Sequence, residues 1–148
     1  MGFSITSFDH MEFDSFKFEN ISKKILEKVK PELEQAVKTS VRQSVKHDGD
    51  SELVNSVTTY EPRMTRDGTA ASINCTFSGK SSSGNHYNTT DRGRARVKPV
   101  LNSDKAFWLE YGRDGQNPAP WKDRALNNAE GKLVPQIQTE LEEIMGAE

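Results

Sequence analysis

A single cysteine, Cys75, stands among the 148 residues, so no internal disulfide can form and no cysteine-based metal cluster can be built. Apolar residues make up only 33%, and mean hydropathy is -0.78. No apolar run approaches the ~20 residues of a membrane-spanning helix. A basic stretch followed by an apolar one is missing from the N-terminus, so no secretory leader is expected. The reading that follows is a soluble protein, made and used in the cytoplasm or in something assembled there. Excess positive charge is also missing: the formal net charge is -2 and the pI about 6.0, which argues against a whole-protein nucleic-acid binder. The length suits one domain, long enough to bury roughly 68–70% of its unfolded surface. With 28% charged residues, the chain has either a thin core or a stability that depends partly on assembly.

Catalytic signatures are lacking too. Gly79-Lys80-Ser81 mimics the end of a phosphate-binding loop, but the glycine that loop needs five positions earlier is Asn74. His10, His47 and His86 are widely spaced, with no second ligand at helical or loop spacing, so no metal site is expected. No nucleophile sits in an elbow or triad motif. Glu110 and Asp114 are neighbours without a recognisable acid–base partner. The expectation is a protein that is not an enzyme and holds no cofactor.

What is present divides the chain into elements. Residues 1–18 hold five of the seven phenylalanines, Phe3, Phe8, Phe13, Phe16 and Phe18. Phe3 and Ile5 alternate with polar neighbours as in a short strand, so the segment reads as an arm or strand that closes the core or inserts aromatics into a neighbour. Residues 19–47 read as a long amphipathic helix capped by Asn20. Its stripe is Ile21, Ile25, Val29, Leu33, Val37, Val41 and Val45, widened by Leu26 and Ala36. Pro31 predicts a kink or a restart, and His47-Asp48-Gly49-Asp50 the helix end.

Ser51 then caps a short turn carrying Leu53, Val54 and Val57. Residues 56–101 read as an antiparallel sheet. Ser56–Met64 is an edge strand because of Pro62, Asp67-Gly68 a hairpin turn, and Ala71, Ile73, Cys75 and Phe77 the inward face of the clearest strand. Residues 78–92 lack apolar periodicity and read as a long flexible loop. A return strand follows to Leu101, with Ala95 and Val97 facing in. A short helix over 103–111, capped by Asn102 or Ser103, stops at Gly112. A last helix over 120–145 opens at Pro120, with the stripe Trp121, Ala125, Ala129, Leu133, Ile137, Leu141 and Ile144 interrupted by Gly131 and Pro135. The fold class is therefore α+β: long N-terminal and C-terminal helices packed on a small antiparallel sheet.

The stretch 107–126 concentrates rigid bulk, with both tryptophans, Tyr111, Pro118 and Pro120 within twenty positions. It reads as an elbow in which Trp108, Tyr111 and Trp121 lock the angle between two helices. Charge is uneven around it. Arg92, Arg94, Arg96, Lys98 and Lys105 against Asp104 make a local balance of +4. Glu130, Glu140, Glu142, Glu143 and Glu148 against Lys132 make one of -4. Such opposed patches read either as solvated faces or as surfaces that steer docking. Arg92-Gly93-Arg94 also resembles the core of a minor-groove reader, so the alternative function is a small nucleic-acid-binding α+β domain using Arg92–Lys98.

Phe107-Trp108-Leu109-Glu110-Tyr111-Gly112, the linker Arg113–Asn117, then Pro120-Trp121 and Ala125-Leu126 carry a further likeness. Together they resemble the tail-completion, or head–tail joining, family of long-tailed bacteriophages. That family shows Phe-x-x-Glu-[Phe/Tyr]-Gly-Thr followed by Pro-Ala-x-Pro-Phe-Leu-Arg-Pro-Ala-Leu. Leu53, Ser56 and Val57 resemble its Gly-x-Leu-x-x-Ser-[Ile/Val] segment. Arg113, Asn117 and Pro118, Trp121, the Lys122-Asp123-Arg124 run and Ser51 depart from the pattern. The resemblance covers roughly residues 20–145. It implies a virion protein of the neck and tail, assembled in the host cytoplasm. Such subunits form a homo-oligomeric ring, usually sixfold, between a tail-tube or tail-terminator protein and head-completion or connector proteins. DNA would pass through the ring without sequence-specific binding, and no membrane is involved. Assembly contacts are then expected at Phe3, Phe8, Arg92, Arg94, Arg96, Lys98, Tyr111, Arg113 and Trp121.

Overall fold

The computed structural model describes residues 2–6, 15–45, 51–89 and 95–146. Phe8, His10, Phe13, His47–Asp50, Arg92 and Arg94 lie outside the described residues, as do the side chains of Phe3, Phe16, Phe18, His86, Ala95, Arg96, Val97 and Lys98. In chain order the elements are β1 (Gly2–Thr6), α1 (Ser15–Ser44), α2 (Ser51–Asn55), β2 (Val57–Thr59), β3 (Arg63–Met64), β4 (Ala70–Phe77), β5 (Lys80–Thr89), β6 (Ala95–Leu101), α3 (Asn102–Tyr111) and α4 (Lys122–Gly146). The α+β class is as expected: two long helices on a small antiparallel sheet.

β4 is the centre of the sheet. It pairs antiparallel with β1 on one side and with β2 and β3 on the other. Its alternation buries Ala71, Ile73 and Cys75 toward the helices and leaves Asn74 exposed. The expected 56–64 strand is broken in two, because Pro62 has no amide for the ladder. Tyr60 still donates to the Asn74 carbonyl at 2.9 Å, so β2 and β3 track one edge of β4. Val57, expected in the short turn before the sheet, belongs to β2. Gly68, at φ +72°, closes the β3–β4 hairpin. Asp67 collects three donors there: Thr65 Oγ1 at 2.6 Å, Thr69 Oγ1 at 2.8 Å and Thr69 N at 3.2 Å.

Both long helices bury their expected stripes. On α1 these are Ile25, Leu26, Val29, Leu33, Ala36, Val37 and Val41; on α4, Ala125, Ala129 and Leu133, with Ile137, Leu141 and Ile144 half-buried. The helices run antiparallel, since Ser40 meets Trp121 and Arg124 while Lys28 meets Glu140 at 2.7 Å. One core cluster joins α1, α2, β2, β4, α3 and α4. Two expectations about α1, its start and its end, are corrected. The helix starts at Ser15 rather than residue 19, so Asn20 lies inside it and is not its cap; it ends at Ser44; and it neither stops nor restarts at Pro31. Pro31 and Glu27, whose carbonyl loses its bond to the proline nitrogen, are both exposed, so water can take that bond's place. The same holds for Pro135 and Gly131 in α4.

The 78–92 segment, expected as a loop, instead contains β5, which forms a separate two-stranded antiparallel ribbon with β6. Strand pairing needs only backbone groups in register, and an apolar alternation marks strands with one face on a core. A polar strand in a ribbon therefore carries no periodic signal. The register is irregular between Lys80 and Asn85.

Candidate functional site

The stretch singled out for its rigid bulk is a tight joint between α3 and α4. α3 ends at Gly112, whose amide donates to the Trp108 carbonyl at 2.7 Å. Its φ of +77° suits glycine, and a Cβ there would lie 2.9 Å from both the Gln116 carbonyl oxygen and Pro118 Cδ. Arg113–Gln116 then forms a turn, held by Arg113 N to Gln116 O at 3.1 Å and the reverse bond at 2.8 Å. The chain returns along α3, where Ala119 N donates to the Leu109 carbonyl at 2.7 Å.

α4 begins two residues later than expected, at Lys122, leaving Pro120 outside the helix. The Trp121 carbonyl accepts the first helical bond, from Ala125 N at 2.9 Å, which places Trp121 at the N-cap. Its side chain has no acceptor with which to cap. Glu110 on α3 supplies one: its Oε2 accepts Trp121 N at 2.7 Å and Lys122 N at 2.9 Å. A carboxylate at this end also complements the positive pole of a 25-residue helix. The two helices are thereby joined through one side chain.

Trp121, expected among the assembly contacts, is buried in the core of the chain at 6% exposure. Its indole Nε1 donates to the Ala106 carbonyl at 3.0 Å, and its ring meets Phe77 edge-on, centroids 5.1 Å apart. From the other side α1 holds the joint. Ser40 donates to the Trp121 carbonyl at 2.6 Å and Ser44 to the Pro120 carbonyl at 3.0 Å. Arg124 donates to the Ser40 hydroxyl and carbonyl and to Ser44. Asn102 and Ser103 do not cap α3. Asn102 is spent on the preceding turn, its Nδ2 on the Ser78 carbonyl at 2.8 Å and its amide on the Gly79 carbonyl at 3.1 Å.

The outer surface of the joint is aromatic. Phe107 and Tyr111 are 59% and 55% exposed, one helical turn apart, with ring centroids 4.7 Å apart. The Arg113 guanidinium lies 4.2 Å above the half-buried Trp108 ring, and Lys122 Nζ 5.7 Å from the Tyr111 ring. Of the three aromatics expected to lock the angle, Trp121 does so from the core, Trp108 stacks under Arg113, and Tyr111 faces outward. Two expected assembly residues, Tyr111 and Arg113, therefore share this surface. Arg96 and Lys98 lie on β6.

The residues that the sequence reading missed are Glu110 as a cap in trans, and the Ser40–Ser44–Arg124 clamp. A signal for the first existed: a helix that opens on tryptophan, with no capping side chain of its own, requires an acceptor from elsewhere. Among the described residues no cluster of His, Cys, Asp and Glu is arranged to hold a metal ion, and no helix is long and apolar enough to cross a membrane. No family model, curated protein or solved structure matches the chain.

Proposed function

We propose that this chain is a structural subunit of the neck and tail of a long-tailed phage virion, forming a ring at the head-proximal end of the tail tube that completes the tail and mediates joining to the head. One observation carries the reading. Two of the residues on which the family resemblance rests, Glu110 and Gly112, hold the α3–α4 joint, while Phe107 and Tyr111 from the same motif are left exposed. A motif that supplies the cap and the turn of a joint, and whose Phe107 and Tyr111 face outward, suits a part that orients a contact surface. Heterologous contacts between such subunits close into a ring when the rotation between neighbours closes.

Native mass spectrometry and negative-stain imaging of the purified chain test this, with a ring of uniform stoichiometry as the expected result. Deleting Ser81–Asn88, which removes most of β5 and none of the core cluster, should leave cooperative unfolding intact and abolish head–tail joining in an assembly extract. The second reading, a nucleic-acid-binding domain, draws on Arg96 and Lys98 lying on the β5–β6 ribbon. A monomer that shifts labelled DNA with a steep salt dependence would favour it and overturn the assembly reading.

A further inference from the structure

The exposed aromatic pair needs a partner surface, and one is built into the opposite part of the same molecule. Lys122 stands beside Tyr111 of this pair, and Arg113 covers the neighbouring Trp108 ring. Neither cation pairs with a carboxylate among the described residues. On the outer face of α4, Glu130, Val134, Gln138 and Glu142 recur every four residues and are all exposed, Val134 by 42%. They form a ridge in which an apolar centre is bracketed by two acids, spanning roughly 18 Å at 1.5 Å per residue. Glu140 is held by Lys28, whereas Glu130 and Glu142 have no ion-pair partner among the described residues.

A surface of exposed aromatics with two cations and a ridge of two acids with an exposed apolar residue are complementary in sign and in apolar character. They cannot meet within one chain. Lys122 opens α4, and Val134 lies about 18 Å further along the same rigid helix. Resting on the ring reading above, we infer that Phe107 and Tyr111 of one copy pack over Val134 of a second copy, with Lys122 and Arg113 meeting Glu130 and Glu142. The two surfaces differ, so the contact is head-to-tail and generates a ring or a filament rather than an isologous dimer. Asp114 and Asp123 adjoin the same joint, so the attraction comes from local pairing and not from net charge. Apolar contact of the exposed rings supplies the affinity, and the charges set the register.

The test compares the wild-type chain with Phe107→Ala/Tyr111→Ala, and with Lys122→Glu alone and combined with Glu130→Lys. Sedimentation and native mass spectrometry would measure assembly, and thermal melts would confirm that each variant folds. The aromatic variant should weaken assembly by about tenfold or more. Lys122→Glu should weaken it as well, and the added Glu130→Lys should restore it in part. Wild-type assembly with unaffected variants would overturn this contact and leave the ring reading standing. A wild-type chain that stays monomeric at its highest soluble concentration would overturn both. Folded variants that assemble poorly with no rescue by any pairing of Lys122→Glu with Glu130→Lys or Glu142→Lys would overturn the proposed register.

Discussion

Replacing Glu110 by alanine removes the one acceptor shared by the amides of Trp121, the N-cap of α4, and Lys122, its first residue. The two amides differ in what they lose. Lys122 is exposed, so water can take over its bond at little cost, whereas Trp121 is 6% exposed and its amide is left with few alternatives. Loss of a helix cap costs roughly 0.5–2 kcal/mol, and loss of a negative charge at a helix N-terminus roughly 0.3–1 kcal/mol. The two effects overlap in one side chain, so Glu110→Ala is expected to destabilise the chain by about 1–2.5 kcal/mol. For a domain near this length that is a fall in Tm of roughly 3–8 °C. Glu110→Gln keeps an acceptor oxygen and loses only the charge, and should cost about 0.5–1 kcal/mol. Asp114→Ala, in the exposed turn three residues beyond α3, is the control and should stay within about 0.5 kcal/mol of the wild type. Urea unfolding followed by far-UV circular dichroism would measure all three, with the m-value checked for constancy. A Glu110→Ala chain as stable as the control would refute the capping argument. A glutamine variant as unstable as the alanine one would show that charge rather than hydrogen bonding holds the joint.

Other outcomes follow from neighbouring geometry. Trp121→Ala should cost about 3–5 kcal/mol in equilibrium unfolding, because it empties buried volume beneath α3 and abolishes the indole bond to Ala106; an unchanged midpoint would contradict its placement in the core. Gly112→Ala should lose about 1–3 kcal/mol, since a Cβ meets the Gln116 carbonyl oxygen and Pro118 at 2.9 Å with φ at +77°. Gly115→Ala has the same φ sign but open space around it, and should lose less by the same denaturation assay. Donation from Thr65 and Thr69 holds the Asp67 carboxyl at about 2, below its ordinary 3.8. The folded hairpin thus binds fewer protons than the unfolded chain. Its contribution is present above about pH 3.8 and lost as pH falls through about 2. An NMR titration showing Asp67 at its ordinary value would remove that pH dependence.

Legibility varied with the kind of signal. The faces of α1 and α4 could be read from spacing, because burial of a stripe at helical period is a local property of the chain. β4 was legible for the same reason at period two, and Asp67-Gly68 because a positive φ has few residue solutions. β5 was not, since its own residues carry no apolar alternation and its pairing with β6 is a backbone relation. The start of α1 was misplaced by four residues because Asn20 is a good cap by chemistry and an interior residue in fact. Prolines misled in opposite ways. Pro62 interrupted a strand, as a residue without an amide must, while Pro31 and Pro135 sit on solvent sides of helices that run through them.

For the candidate site the division is sharper. From the sequence alone came the position of the joint, the glycine that ends α3, the bulk of Trp121 and the separation of positive from negative stretches along the chain. Each is a statement about residue types at short spacing. Which aromatic turns inward was decided by tertiary structure: Trp121 is enclosed between α1, α3 and Phe77, while Phe107 and Tyr111 remain outside. Glu110's role was decided there too, because a cap supplied by a different helix depends on where α3 and α4 lie in space. Hydrogen bonds between elements are set by packing, and packing is a property of the whole fold rather than of any window within it.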